Sequence, residues 1–164
     1  MTFENTAARV WKRLTREERL LAARHFWADP PREVAAAAQA VLVKTMHVRP
    51  QSVRTLSAEQ RERGLGLSMD PGEVVAASLL VALHLGERRA LLCAFLDAAG
   101  LVHENGLLPQ DASDAAIGED VARRACQAIA AAFPAAQVQT YLNTLWLQDH
   151  ERWSILERVA SDLP

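Results

Sequence analysis

The chain of 164 residues has only two cysteines, Cys93 and Cys126. Two thiols cannot form the dense disulfide framework of a small secreted domain, and buried free thiols are the expectation for both. Aromatic residues make up 5%, and β-branched residues are few beside alanine and leucine. The best helix formers therefore dominate, and no stretch alternates apolar and polar residues as a half-buried strand does. Glycine and proline occur seven times each, which excludes collagen-like and Pro/Gly-rich disordered chains. Lysine is nearly absent, with two against sixteen arginines, a skew that fits a GC-rich bacterial genome. The longest uncharged apolar run, Val74 to Gly86, falls short of the about 20 residues that cross a bilayer. No apolar stretch precedes the basic residues of MTFENTAARVWKR, so no secretory signal is read there, and a cytoplasmic, non-membrane protein is expected.

What is present fits one soluble all-α domain over 1–164, with 50% hydrophobic and 23% charged residues. The expected architecture is an irregular helical bundle of about seven or eight helices, built partly from αα-hairpins. Thr15 with Glu18, and Ser57 with Gln60, have the capping-box spacing that opens a helix. Asp29 before Pro30 reads as an N-cap with proline at the first helical position. Asp70-Pro71-Gly72-Glu73 is the strongest start signal, opening a helix that is apolar nearly all round and so suited to a domain interior. Gly64 and Gly66 read as terminators, as do Gly86 and Gly100. Ala122, Cys126, Ile129 and Phe133 recur at helical period, followed by the stripes Val138, Tyr141, Leu142, Leu145 and Trp153, Leu156, Ala160, Leu163. Residues 71–99 and 119–148 have the look of αα-hairpins. Trp11, Trp27, Trp146 and Trp153 lie near chain or helix ends, where they are expected to plug terminal helices together.

The net charge of −2 conceals an asymmetry. Residues 1–63 carry 12 basic and 7 acidic groups, and residues 64–164 carry 6 and 13. The basic half is either an exposed face or an internal partner of the acidic half. Glu17 and Glu18 interrupt the cations Arg9, Lys12, Arg13, Arg16, Arg19 and Arg24, so this region reads as the salt-bridge-laced outer face of a helix.

Few residues have the spacing of a reactive centre. Glu-x-x-His, His-Glu-x-x-His, Cys-x-x-Cys and Gly-x-Ser-x-Gly are all missing, so no metal, cofactor or catalytic residue is assigned. The acids at 111–120 lack the alternation of a calcium loop and suit the N-terminus of the next helix instead. His84, His103 and Glu104 are the only candidates for a ligand pocket.

Lys44, His47, Arg49 and Arg54 cluster around Pro50. Residues 48–56 resemble the turn and second helix of helix-turn-helix regulators. The resemblance implies that Val53 and Leu56 pack inward, Gln51, Ser52 and Arg54 face the major groove, and Lys44 and Arg49 meet phosphates. Val43 stands where those regulators have a small residue, and His47 where they have the turn glycine.

Three functions remain open. The leading expectation is a non-catalytic interaction or adaptor protein with a protein partner or self-association. The alternative is nucleic-acid binding through Lys44, Arg49, Gln51, Ser52 and Arg54. A small helical enzyme or ligand binder at His84, His103 and Glu104 is the third.

Overall fold

In the computed structural model, residues 3–109 and 117–161 are described. Their regular structure is helical: α1 (Ala7–Arg13), α2 (Arg16–Ala28), α3 (Arg32–Met46), a 3₁₀ helix (Pro50–Thr55), α4 (Ala58–Gly66), α5 (Glu73–Leu85), α6 (Arg89–Ala99), α7 (Glu119–Ala132), α8 (Ala135–Gln148), α9 (His150–Trp153) and α10 (Leu156–Ala160). The only β pairing among these residues is an isolated bridge between Glu104 and Leu107. The fold is all-α, with more and shorter helices than the periodicity predicts. The stripe expected as one last helix is divided between α9 and α10, and Leu163 lies outside the described residues.

The chain forms two compact units, Thr6–Glu87 and Arg88–Pro164 with Met1–Asn5. In the first, α2 packs against both α4 and α5, α3 also meets α4 and α5, and α1 lies on α5. Its core includes Trp11, Phe26, Leu42, Leu65, Leu79, Leu80 and Leu83. The Trp11 indole keeps its donor satisfied by the Ser68 carbonyl at 2.8 Å. In the second unit, α6 packs most extensively on α7, with α10 also on α7 and α9 on α8. Phe95 of α6 makes edge contacts with Tyr141 at 5.4 Å and Trp153 at 5.8 Å. Trp146 is half-buried and packs on Phe3 near the chain start, the plugging contact expected of it. Of the two stretches with hairpin character, α5 and α6 fall in different units, and α7 makes its main contact with α6 rather than α8.

Both capping boxes form. Thr15 and Ser57 accept from the backbone of Glu18 and Gln60, whose side chains return to the cap backbones. Two start signals shift by about a turn's half. Asp29 is a C-cap, and α3 opens at Arg32 after Pro31. Pro31 disfavours helical backbone at Pro30, so the helix must wait for the second proline. Likewise α5 opens at Glu73 behind Gly72, whose φ of +81° suits glycine.

Two glycines serve packing where termination was expected. Gly64 lies buried inside α4, and a Cβ there would stand 2.6 Å from Met46 Sδ and 2.7 Å from Leu42 Cδ2 of α3. Gly86 does follow α5, but with φ −92° instead of the left-handed cap, and a Cβ there would fall on the His25 ring. Close helix approach selects glycine at both sites. Gly100 ends α6 in the left-handed conformation as predicted.

Arg19 departs from the outer-face reading. It is buried, with Nε donating to the Gly66 carbonyl at 3.2 Å and Nη1 to the Leu14 carbonyl at 2.6 Å.

Candidate functional site

The connection from α3 to α4 begins at His47. This residue adopts the left-handed conformation, φ +53° and ψ +35°, at the position where the regulators have glycine. The turn therefore forms with histidine in it. Arg49 is extended, as the following Pro50 requires, and the 3₁₀ helix starts there. Ser52 N–H donates to the Arg49 carbonyl at 2.9 Å, and Thr55 Oγ1 to the Ser52 carbonyl at 2.9 Å.

The resemblance implies an α-helix over this stretch, and here the structure differs. Ser57 must be extended to cap α4, and Leu56 before it is extended too. Only six residues remain, and the tighter i→i+3 pattern closes more bonds in so short a piece. Its length is about 12 Å at roughly 2 Å per residue. Three residues per turn place Gln51 and Arg54 in one row, and both are exposed. Ser52 and Leu56 are half-buried, and Val53 is buried.

Lys44, His47 and Arg49 are exposed along the same connection. Among the described residues, Lys44, Arg49 and Arg54 make no ion pair with any carboxylate. The nearby cation Arg24 is different, meeting Glu62 at 3.3 Å. The unit Thr6–Glu87 carries 12 basic against 9 acidic residues.

Beneath this connection is a cleft of about 160 Å³ lined by Trp27, Gln39, Val53, Arg54 and Arg61. It collects side chains from α2, α3, the 3₁₀ helix and α4. Trp27 Nε1 donates to the Arg61 carbonyl at 3.2 Å, and Arg61 Nη2 to the Arg54 carbonyl at 3.4 Å. The sequence singled out Arg54 as a groove-facing residue rather than a cleft residue, gave no sign of Gln39 or Arg61, and cast Trp27 as a plug between terminal helices. No local pattern links residues 27, 39 and 61. Only the packing of α2, α3 and α4 does.

The residues expected at a ligand pocket lie on two different segments. His84 is buried in the last turn of α5. His103 and Glu104 belong to the other unit, in the turn at 101–109. Glu104 and Leu107 exchange backbone hydrogen bonds of 2.9 and 3.0 Å across Asn105-Gly106, both with positive φ, the pattern of a tight hairpin turn. His103 Nδ1 accepts from the Gly106 N–H at 3.1 Å, so Nε2 carries the hydrogen and donates to Asp97 Oδ1 at 3.1 Å. Both ring nitrogens thus hold the turn against α6, and the exposed Glu104 carboxylate is not their partner.

Among the described residues, no three His, Cys, Asp or Glu side chains cluster as a metal would need. Asp111 and Asp114 lie outside the described residues, while Glu119 and Asp120 occupy the first turn of α7 as expected. Neither cysteine is bonded: Cys126 is buried and Cys93 half-buried. Burial pushes the Cys126 thiol up to about 12, the opposite of what a nucleophile needs. No helix among the described residues is long and apolar enough to cross a membrane. No family model, curated protein or solved structure matches the chain.

Proposed function

We propose that this chain is a non-catalytic interaction protein whose contact surface is the basic connection between α3 and α4. The observation that carries the reading is that Lys44, Arg49 and Arg54 are exposed and without an ion pair among the described residues. Unpaired cations on a short, structured segment create a local positive potential that attracts an acidic partner and orients it. The adjoining helices α3 and α4 hold the segment at both ends, so little ordering cost falls on binding. The partner on this reading is a protein with an acidic surface.

A second reading, nucleic-acid binding, is favoured by the exposed Gln51–Arg54 row beside Lys44 and Arg49. On this reading Lys44, Arg49 and Arg54 meet phosphates, and Gln51 is the base-facing candidate with Ser52 at its edge. A six-residue 3₁₀ helix is a short reading element, so phosphate contacts would supply most of the affinity.

Fluorescence anisotropy separates the two. The probes are a labelled poly-glutamate peptide, duplex DNA and single-stranded RNA, each titrated across a salt series. Binding that weakens with salt and is lost in the triple variant Lys44→Gln, Arg49→Gln, Arg54→Gln supports this surface. Preference for the peptide supports the protein-partner reading, and preference for an oligonucleotide supports the second. Absence of binding to all three at low salt overturns both.

A further inference from the structure

We infer that the cleft lined by Trp27, Gln39, Val53, Arg54 and Arg61 is a binding site for a phosphate group, carried as inorganic phosphate or as the terminal phosphate of a nucleotide. The inference stands apart from the reading of the exposed connection and shares only Arg54 with it.

The cleft is positively charged. Two guanidinium-bearing residues contribute to the wall and no carboxylate does. The acid nearest in sequence to Arg61 is Glu62, and its carboxylate is engaged by Arg24 at 3.3 Å. Arg54 makes no ion pair among the described residues. Two neighbouring cations with no counter-charge favour a di-anion over a mono-anion.

One of its residues also carries an unused donor. Arg61 Nε is shielded from water and has no hydrogen-bond partner among the described residues. A buried donor without an acceptor is costly, and an acceptor that reached it through a small shift of the side chain would relieve that cost. Arg61 is tied to both neighbouring elements through other atoms. Its Nη2 is held by the Arg54 carbonyl at 3.4 Å, and its own carbonyl is held by Trp27 Nε1 at 3.2 Å. Guanidinium groups suit such an acceptor because their planar N–H fork matches phosphate oxygens. Gln39 adds a neutral amide to the same wall.

The size of the cleft narrows the choice of ligand. About 160 Å³ is well below the roughly 300–1,000 Å³ of sites that enclose a whole small molecule. The space suits one compact group. The Trp27 ring and the buried Val53 supply an apolar side against which the carbon end of a phosphate monoester can rest.

The test is a titration of ¹⁵N-labelled protein with sodium phosphate at constant ionic strength. The Trp27 indole N–H, assigned through Trp27→Phe, and the Arg61 Nε–H, assigned through Arg61→Lys, are the reporters. Saturable shifts of both at roughly millimolar phosphate are expected. Arg61→Lys keeps the charge but removes Nε–H, and is expected to weaken binding about tenfold, the scale of one charge-assisted hydrogen bond. Arg54→Gln alters an exposed residue, leaves the fold intact, and is expected to weaken binding by a similar factor. It decides the matter if Arg61→Lys fails to fold.

Adenosine 5′-monophosphate binding more tightly than phosphate assigns the site to a nucleotide end, and equal binding assigns it to the free ion. Both outcomes support the inference. Absence of saturable shifts overturns it, as does unchanged affinity in the variants. Acetate binding as well as phosphate also overturns it, since the site would then be a carboxylate site. Lys44→Gln with Arg49→Gln is expected to leave phosphate affinity unchanged while abolishing polyanion binding, so failure of one reading is distinguishable from failure of the other.

Discussion

Arg19 Nε donates to the carbonyl of Gly66 at 3.2 Å, tying the second helix to the last residue of the fourth. The same guanidinium donates to the Leu14 carbonyl at the C-cap of α1. One cation thus serves the carbonyl ends of two helices, where the helix dipole favours positive charge. Hydrogen bonds to a charged group contribute about 1.5–3 kcal/mol each. Arg19→Leu is expected to lower the unfolding free energy by roughly 2–4 kcal/mol, since it leaves two carbonyls without a donor. Arg19→Lys should recover less than half, because a single ammonium cannot fork to both. Urea unfolding with an unchanged slope measures it, and a wild-type midpoint in Arg19→Leu would remove the double-capping role.

Glu73 repeats the theme with opposite sign. Its carboxylate accepts from Ala7 N–H at 2.5 Å and Ala8 N–H at 3.1 Å, while Glu73 itself begins α5. One anion therefore sits at the positive ends of α1 and α5. Glu73→Gln is expected to cost about 1 kcal/mol at low salt, and less as salt screens the exposed charge. Thermal melts at low and high ionic strength should converge, and a salt-independent loss would contradict the dipole account.

Gly86 and His25 are in close apposition. The His25 ring occupies the space a Cβ would need, while its Nε2 lies 3.6 Å from Glu87 Oε2. Gly86→Ala is expected to destabilise by about 1–3 kcal/mol through overpacking. Adding His25→Ala opens the space, so the double variant should be more stable than additivity of the two single losses predicts. A double-mutant cycle by chemical denaturation gives the coupling directly, and strict additivity would refute the packing role.

Alkaline pH should unfold this protein through the second unit. Burial pushes the Cys126 thiol up to about 12, and burial together with Cys93 and Cys126 raises the Tyr141 hydroxyl. Both groups are neutral in the fold. The unfolded thiol, with a pKa of about 8.5, loses its proton first, so the folded state holds more protons above that pH and stability falls as pH rises. The Cys126 contribution is complete below about pH 8.5 and is lost between there and about pH 12. Cys126→Ala should flatten the decline across this window in pH-dependent urea melts. At about pH 8, a thiol reagent should modify native Cys93 before Cys126, and Cys126 only on unfolding. Equal native rates at both would contradict the burial.

The helical class, the two capping boxes and the buried stripes of α7 and α8 were legible because each is a local matter. A cap needs residues three apart, and a stripe needs only the helical period. Helix starts at Pro30–Pro31 and at Asp70–Glu73 were legible only to within two residues, because consecutive constraints on neighbouring backbones compete. The basic connection was legible as charge, and the left-handed His47 shows that the turn tolerates a side chain where glycine was expected.

Composition and periodicity by themselves determined that the chain is helical, which faces are apolar, and where cations gather in sequence. Tertiary structure alone decided that Arg19 is buried while Lys44, Arg49 and Arg54 are exposed, since one arginine differs from another only in which helix ends surround it. It also decided that Gly64 and Gly86 answer to Met46 and His25, and that Trp27, Gln39 and Arg61 share one cleft. Those relationships join residues far apart in the chain, and their physics lies in the packing distance between helices, which no local pattern encodes.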